Sequence, residues 1–500
     1  MNIVRKIAKE SAIVLSGLVY GNANRYLFTV LLARWVGIEF LGIYSIANAI
    51  MMISEVLAKM GIETGIMRFV SRLNPAVEKE KIQRLIGSAV KMTAVFSIMI
   101  MSVLLLSVGF IVNTTISGSS LLTTVLIVFA IAIPFNTFTQ VSGFATQGLK
   151  RLKYKTFVTQ YLNPTTMLLV LIISFWFVSD KSALMAPVLV TGVVGFLAMA
   201  FILKRVTGIK NNQIINSSFN SDLLKFSYPL MFVTILQTFM HWMDILLLGY
   251  FTDAATVGLY HPAARTAGLL QALLFSFISI YAPIISQLHN DGKVSEIARI
   301  CKLVSRWIMM LAIPIFLVFI IFPAKVMLLF GADFIVSAPV LVLLAIATFI
   351  QALLSASGTV LTMSGYTRLA LWNSLVAFVL NIILNIILIP RYGIYGAAWA
   401  TLISLTLISL LRVIQVRLIF KFHFIDYRMI KPIVAGSIVA AGLVYLKDFI
   451  MPYHTLITLL YASTFSVIIF GIVMWILKLE YEDREFLQGL KSLKGIFNKK

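Results

Sequence analysis

The sequence predicts an all-α, polytopic membrane fold of about 14 transmembrane helices. Three observations predict it: the apolar content, the length of the apolar runs, and the side on which the basic residues fall. Of 500 residues, 60% are apolar and 12% are charged, where a soluble chain carries about twice that charge. That balance excludes a soluble enzyme, a fibrous protein and a disordered chain. The apolar runs are continuous over roughly 20 residues, the length of one helical crossing. A transmembrane β-barrel would instead show stretches of about ten residues with alternating polarity.

Apolar segments fall at approximately 11 to 34, 40 to 60, 86 to 111, 121 to 146, 156 to 178, 182 to 204, 223 to 250, 256 to 283, 297 to 322, 337 to 363, 366 to 390, 394 to 420, 429 to 448 and 454 to 477. The first is too long for a cleavable signal, holds Arg25 and lacks a small-residue cleavage site, so it reads as a retained span.

Lysine and arginine orient these spans. Arg34, Lys181, Lys325, Arg391 and Lys447 are the only basic residues near the odd-numbered loops, Arg25 and Arg265 lie inside spans, and the rest of the 41 fall on the other side. By the positive-inside rule both termini face the cytoplasm of a cell membrane, which requires an even number of spans. The net charge of +22 is therefore a topological signature beside anionic membrane lipids, and nucleic acid is not expected as a partner. The clusters Lys150, Arg151, Lys153, Lys155 and Arg412, Arg417, Lys421 belong to that signature.

A repeat with an offset near 216 residues relates the two halves. Leu41-Gly42-Ile43-Tyr44 matches Val257-Gly258-Leu259-Tyr260, Val70-Ser71-Arg72-Leu73 matches Ile285-Ser286-Gln287-Leu288, and Gly148 and Arg151 match Gly365 and Arg368. A parallel six-helix duplication has its axis along the membrane normal and its binding site between the halves. The expected organisation is an N-terminal lobe over 1–210 (spans 1 to 6), a second lobe over 211–424 (spans 7 to 12), two added spans over 425–479, and a tail over 480–500. In that tail Phe486, Leu490, Leu493 and Phe497 follow helical spacing, as in an interfacial amphipathic helix on the cytoplasmic face.

The loops argue against catalysis. The outward connections are too short to hold a constellation of acids, histidines or arginines around a sugar. No glycine-rich phosphate loop is followed by Lys and Ser or Thr, so ATP is not expected as the energy source. His241, His261, His289, His423 and His454 lack metal-ligand spacing, and the single Cys301 allows no internal disulfide. The chain is expected not to be an enzyme and to carry no cofactor or metal.

Ionisable groups inside spans cost about 2.5–3.5 kcal/mol each on insertion scales and usually mark a pathway. Arg25 lies nine residues from the outer end of span 1, His241 nine from that of span 7, and Arg265 nine from that of span 8. At about 1.5 Å per residue all three share a layer roughly 13 Å below the outer surface. The repeat offset also pairs Arg25 with His241. A guanidinium is a planar fork of donors that fits a phosphate group, so Arg25 and Arg265 are candidate ligands of an anionic head group. The alternative is an Arg–Asp pair tying the lobes together through Asp244. Asp244 is also a candidate proton or sodium coupling site, and His241 is as readily a packing residue. Gln140, Gln237 and Gln271 would meet sugar hydroxyls if they face the lumen, although helix-to-helix hydrogen bonding explains most such residues.

The fourteen spans, the parallel repeat, the Gly42-Ile43-Tyr44-Ser45 pattern with its Gly258-Leu259-Tyr260 partner, and the Gly148 to Arg151 turn resemble the polysaccharide export proteins. These form a branch of the multidrug/oligosaccharidyl-lipid/polysaccharide exporter superfamily, and the nearest likeness is to Wzx-like O-antigen or teichoic-acid flippases. The resemblance implies outward movement of a polyprenyl-diphosphate-linked oligosaccharide by alternating access. Arg25 and Arg265 would then bind the diphosphate, and spans 13 and 14 would shelter the lipid tail. It also implies partner glycosyltransferases or a polymerase of a glycan pathway. An ion-coupled multidrug exporter and a non-transporting scaffold of a glycan-assembly complex are the alternatives. The multidrug branch typically has twelve spans.

Overall fold

The computed structural model describes residues 2–74, 77–115, 120–177, 185–423 and 426–477. The expected tail helix therefore lies outside the described residues. In chain order the helices are α1 (Asn2–Lys59), α2 (Ile62–Ser71), α3 (Lys79–Thr115), α4 (Ser120–Gly148), α5 (Leu152–Thr156), α6 (Asn163–Phe177), α7 (Ala186–Thr207), α8 (Asn211–Ile215), α9 (Ser221–Phe251), α10 (Ala254–Asn290), α11 (Val294–Ile321), α12 (Pro323–Met327), α13 (Ala338–Met363), α14 (Thr367–Phe420), α15 (Ile430–Ile450) and α16 (Thr455–Ile476). A π-helical turn, Phe157–Leu162, joins α5 to α6. Among the described residues there is no strand. In lipid each backbone N–H and C=O must be satisfied internally, and a helix does this within one segment.

Eleven helices among the described residues are long and apolar enough to cross a membrane. Fourteen segments were expected, and two long helices account for two of the three by which the numbers differ. α1, with 58 residues, and α14, with 54, each take up two adjacent segments. A straight helix of that length would run about 80–90 Å, against a hydrocarbon layer of about 30 Å. Both are broken by a glycine with positive φ, Gly37 (φ 84°) in α1 and Gly393 (φ 54°) in α14, a conformation other residues adopt only under strain. The segment expected at 256 to 283 lies within α10.

The chain forms two compact units. The first comprises Met1–Thr266, Phe330–Val340 and Phe378–Thr401; the second comprises Ala267–Leu329, Leu341–Ala377 and Leu402–Lys500. In the first unit α4 packs on α1, α2, α3 and α7. A core of Ile62, Ile66, Val70, Ile86, Val141 and Leu223 holds these helices together. In the second, α11 packs on α15 and α16, and Tyr281, Ile285, Cys301, Ile308, Val360 and Val416 form the core.

The repeated glycines explain one contact of the first unit. A Cβ on Gly42 would strike the carbonyl of Ala254, and one on Gly258 would strike the carbonyl of Ile38. The two residues that the repeat makes equivalent therefore meet backbone to backbone where α1 crosses the start of α10. Gly42→Leu should destabilise the protein by about 1–3 kcal/mol or more, because overpacking against backbone cannot be relieved by a rotamer change. Thermal unfolding in detergent would register this, and a melting temperature unchanged from wild type would refute the contact.

Candidate functional site

All the ionisable groups singled out inside spans belong to the first unit. Arg25, on α1, is partly buried and anchored by span 5: Nη2 donates to the Thr159 carbonyl (2.8 Å) and Nη1 to Gln160 Oε1 (3.2 Å). Both acceptors lie in the π-helical turn Phe157–Leu162; such turns loosen the regular ladder and are frequent at functional sites. Two of the five guanidinium N–H groups are thereby committed, and among the described residues the other three have no acceptor.

Arg265 lies one turn after His261 on α10, next in sequence to Thr266 as Arg25 is to Tyr26. It also lies within electrostatic reach of Tyr26, Tyr44 and His241. Among the described residues Arg265 has neither a hydrogen bond nor an ion pair. Tyr26 Oη and Thr266 Oγ1, 3.1 Å apart, hold α1 to α10 beside it. His241 is exposed and meets Trp242 edge-on at 5.2 Å, while Trp242 lies parallel to the buried His261 ring at 6.4 Å.

Asp244 forms no ion pair with either arginine among the described residues. Its Oδ2 accepts from Tyr260 Oη (2.6 Å) and Thr401 Oγ1 (2.5 Å), and its Oδ1 accepts from Asn385 Nδ2 (2.9 Å). Asn385 also donates to Asn381 Oδ1 (3.0 Å). The result is a carboxylate bonded to neutral side chains, with no side-chain cation paired to it among the described residues.

The three glutamines separate. Gln237 is exposed, one turn before His241 on α9. Gln271, in the second unit, donates to Gln351 Oε1 (3.1 Å), so it is engaged with a neighbouring helix. Gln140 is engaged more deeply. Its Nε2 donates to Glu55 Oε2 (2.9 Å) while its Oε1 accepts from Lys59 Nζ (2.7 Å); Asn136 Nδ2 supplies Glu55 Oε1 (2.8 Å). Glu55 is 1% exposed and Lys59 7%. The amide of α4 is thus inserted between an acid and a base one turn apart on α1.

Sequence reasoning missed Glu55 and Lys59. Their i, i+4 spacing is the ordinary spacing of a surface pair, and the usable signal was that both fall inside an expected span. The 216-residue offset also equates Glu55 with Gln271, and each bonds an amide on a facing helix. Among the described residues no cluster of three or more His, Cys, Asp or Glu side chains is arranged to hold a metal ion.

Known proteins resemble this chain over much of its length. The family described as polysaccharide biosynthesis protein matches residues 7–289, and the MatE family matches residues 229–387. A probable low-salt glycan biosynthesis flippase, Agl15 of Haloferax volcanii, is 27% identical over 46% of this chain and 49% of its own length. A probable flippase, AglR of the same organism, is 31% identical over 34% of this chain and 37% of its own length. The aligned stretch thus spans half or less of these two relatives. Among solved structures, the lipid II flippase MurJ in an inward closed conformation superposes with a TM-score of 0.71 at 16% identity, covering 94% of this chain and 99% of MurJ. At that identity the likeness is one of fold. The first match covers more than half of the chain, and the fold is that of MurJ: the chain is a multi-pass membrane protein that belongs to the family described as polysaccharide biosynthesis protein.

Proposed function

We propose that this membrane protein is a flippase that moves a polyprenyl-diphosphate-linked oligosaccharide outward across the cell membrane by alternating access. The observation that carries the reading is the pair Arg25 and Arg265, whose chain neighbours Tyr26 and Thr266 are hydrogen-bonded to each other within the membrane-spanning part of the chain, with Arg265 lacking a protein acceptor among the described residues. Two like charges held together in a low-dielectric setting are costly unless an anion joins them. A diphosphate supplies that anion, with oxygens matched to both forks. The names of the Haloferax relatives and the MurJ-like fold support the same reading.

In this proposal the lobes are residues 1–210 and 211–424, both termini are cytoplasmic, and the added spans over 425–479 face the lipid tail. The inward state admits the diphosphate and sugars, the lobes rock, and the polyprenyl chain stays in lipid throughout. Inside-negative voltage drives an anion outward by about 4.6 kcal/mol for two charges at roughly 100 mV. The lipid-linked oligosaccharide is supplied and consumed by enzymes of a glycan pathway, among them glycosyltransferases or a polymerase.

The experiment is reconstitution of the purified protein into liposomes with a fluorescent polyprenyl-diphosphate glycan, scored by its accessibility to an impermeant quencher. Acceleration of flipping over empty liposomes supports the proposal, and equal rates contradict it. The match to the MatE family over residues 229–387 favours a second reading, an ion-coupled exporter of amphipathic drugs; accumulation of a cationic dye in the same liposomes under an ion gradient would favour it.

Asp244, whose carboxylate accepts from the hydroxyls of Tyr260 and Thr401 and from the Asn385 amide, is our candidate for a coupling proton or sodium ion, since hard cations prefer oxygen ligands. Asp244→Asn should remove any dependence of flipping on the sodium or proton gradient while voltage-driven flipping persists. Gradient dependence undiminished in the variant would exclude Asp244 from coupling.

A further inference from the structure

Arg412, like Arg265, lacks the hydrogen bonds that hold Lys59, Lys155 and Arg25. It lies on α14 eight residues before the helix end at Phe420, about 12 Å inside by helical rise. Lys59 leans on Gln140, Lys155 donates to Gln147 Oε1 (2.9 Å) and sits over the Phe144 ring, and Arg25 is held by Thr159 and Gln160. Arg412 has no hydrogen bond, ion pair or aromatic face among the described residues, and it is only partly exposed.

Its surroundings explain how the side chain is accommodated without explaining what it binds. The guanidinium lies across Gly358 of α13, with Cδ 3.4 Å and Nη1 3.5 Å from where a Cβ would be. The amides nearest in sequence are occupied with each other: Asn373 Nδ2 donates to Gln415 Oε1 (2.6 Å) and Gln415 Nε2 to Asn373 Oδ1 (2.8 Å). They leave Arg412 its full set of five donors. All these residues belong to the second unit, whereas Arg25 and Arg265 belong to the first. The basic cluster Arg412, Arg417 and Lys421 was read from sequence as an orientation signal. Arg417 and Lys421 fit that role at the end of α14, but Arg412 sits two turns further in, where orientation does not require a charge.

We propose that Arg412, seated over Gly358, is a phosphate-binding site for a membrane lipid, separate from the Arg25 and Arg265 pair. An unpartnered guanidinium inside a span is stable when an anion completes it, and its donor fork matches phosphate oxygens in pairs. Two lipids carry that group here: a resident anionic phospholipid, or the polyprenyl diphosphate itself at an intermediate station. The second source rests on the flippase reading above; the first does not.

The test uses the purified full-length protein in detergent, with lipid binding followed by native mass spectrometry. Phosphatidylglycerol, polyprenyl diphosphate and phosphatidylcholine are titrated in turn. Arg412→Gln should weaken binding of phosphatidylglycerol or of polyprenyl diphosphate at least tenfold and leave phosphatidylcholine unchanged. A loss confined to phosphatidylglycerol assigns the site to a resident lipid, and a loss confined to polyprenyl diphosphate assigns it to the transported one. Gly358→Leu keeps the charge but fills the seat, so it should weaken the same lipid, whereas Gly358→Ala should be silent because its Cβ makes only ordinary contacts. If Arg412→Gln, or Gly358→Leu should the first variant not fold, binds both anionic lipids as wild type does, the site does not exist. Should the wild-type protein bind no polyprenyl diphosphate, the flippase reading fails, and phosphatidylglycerol still decides on Arg412.

Discussion

Replacing Arg25 and Arg265 together by glutamine should weaken binding of a polyprenyl-diphosphate glycan by at least a hundredfold. At about 4 Å and an effective dielectric near 20 a charge contact amounts to roughly 4 kcal/mol before desolvation is subtracted. A hydrogen bond to a charged group contributes about 1.5–3 kcal/mol net. Two such contacts therefore give about 3–6 kcal/mol, or roughly two to four orders of magnitude in affinity. The arginines should not contribute equally. Arg25 is already tied to Thr159 and Gln160, so its orientation is prepaid, and Arg25→Lys should fail where a planar, anchored fork is needed. Arg265 has no such anchor among the described residues and should tolerate lysine better. Isothermal titration with polyprenyl diphosphate, and with the monophosphate as a weaker comparison, reads both effects. Affinities within threefold of wild type in the double variant would remove the arginine pair from the site.

A second large effect is expected at Glu55, on stability. Glu55→Ala leaves Lys59 inside the first unit with only the Gln140 carbonyl as partner, and it strips Asn136 and Gln140 of their acceptor. Removing one partner of a buried charge pair typically costs about 3–5 kcal/mol, because the remaining charge is uncompensated. The double replacement Glu55→Gln with Lys59→Met should cost less than the sum of the single replacements, since the two charges vanish together. A cycle of these variants measured by thermal unfolding in detergent decides the matter. Strict additivity would show that the bridging amide does not couple acid to base.

The all-helical membrane fold was legible because its signal is long and redundant: apolar runs of crossing length, and basic residues segregated to alternate loops. The 216-residue offset names two residues that touch, since Gly42 and Gly258 meet backbone to backbone. What stayed hidden were features that depend on which face of a helix a polar residue occupies. By type and depth Gln140 and Gln271 suit either a lumen or a helix-to-helix bond, and only the structure names their partners on neighbouring helices. Glu55 and Lys59 look like an ordinary i, i+4 pair, yet an amide from α4 separates them. Thr401, Asn381 and Asn385 lie more than a hundred residues from Asp244, and only folding brings them to its carboxylate. The bends at Gly37 and Gly393 were invisible because a glycine between apolar runs equally suits a loop.

The most direct measurement is a cryo-electron microscopy structure of the full-length protein with a polyprenyl-diphosphate oligosaccharide bound. Density for the two phosphoryl groups within hydrogen-bonding distance of the Arg25 and Arg265 guanidinium groups is what the proposed transport mechanism requires. Phosphoryl density elsewhere, with both arginines turned to acyl chains or engaged only by protein, would contradict it.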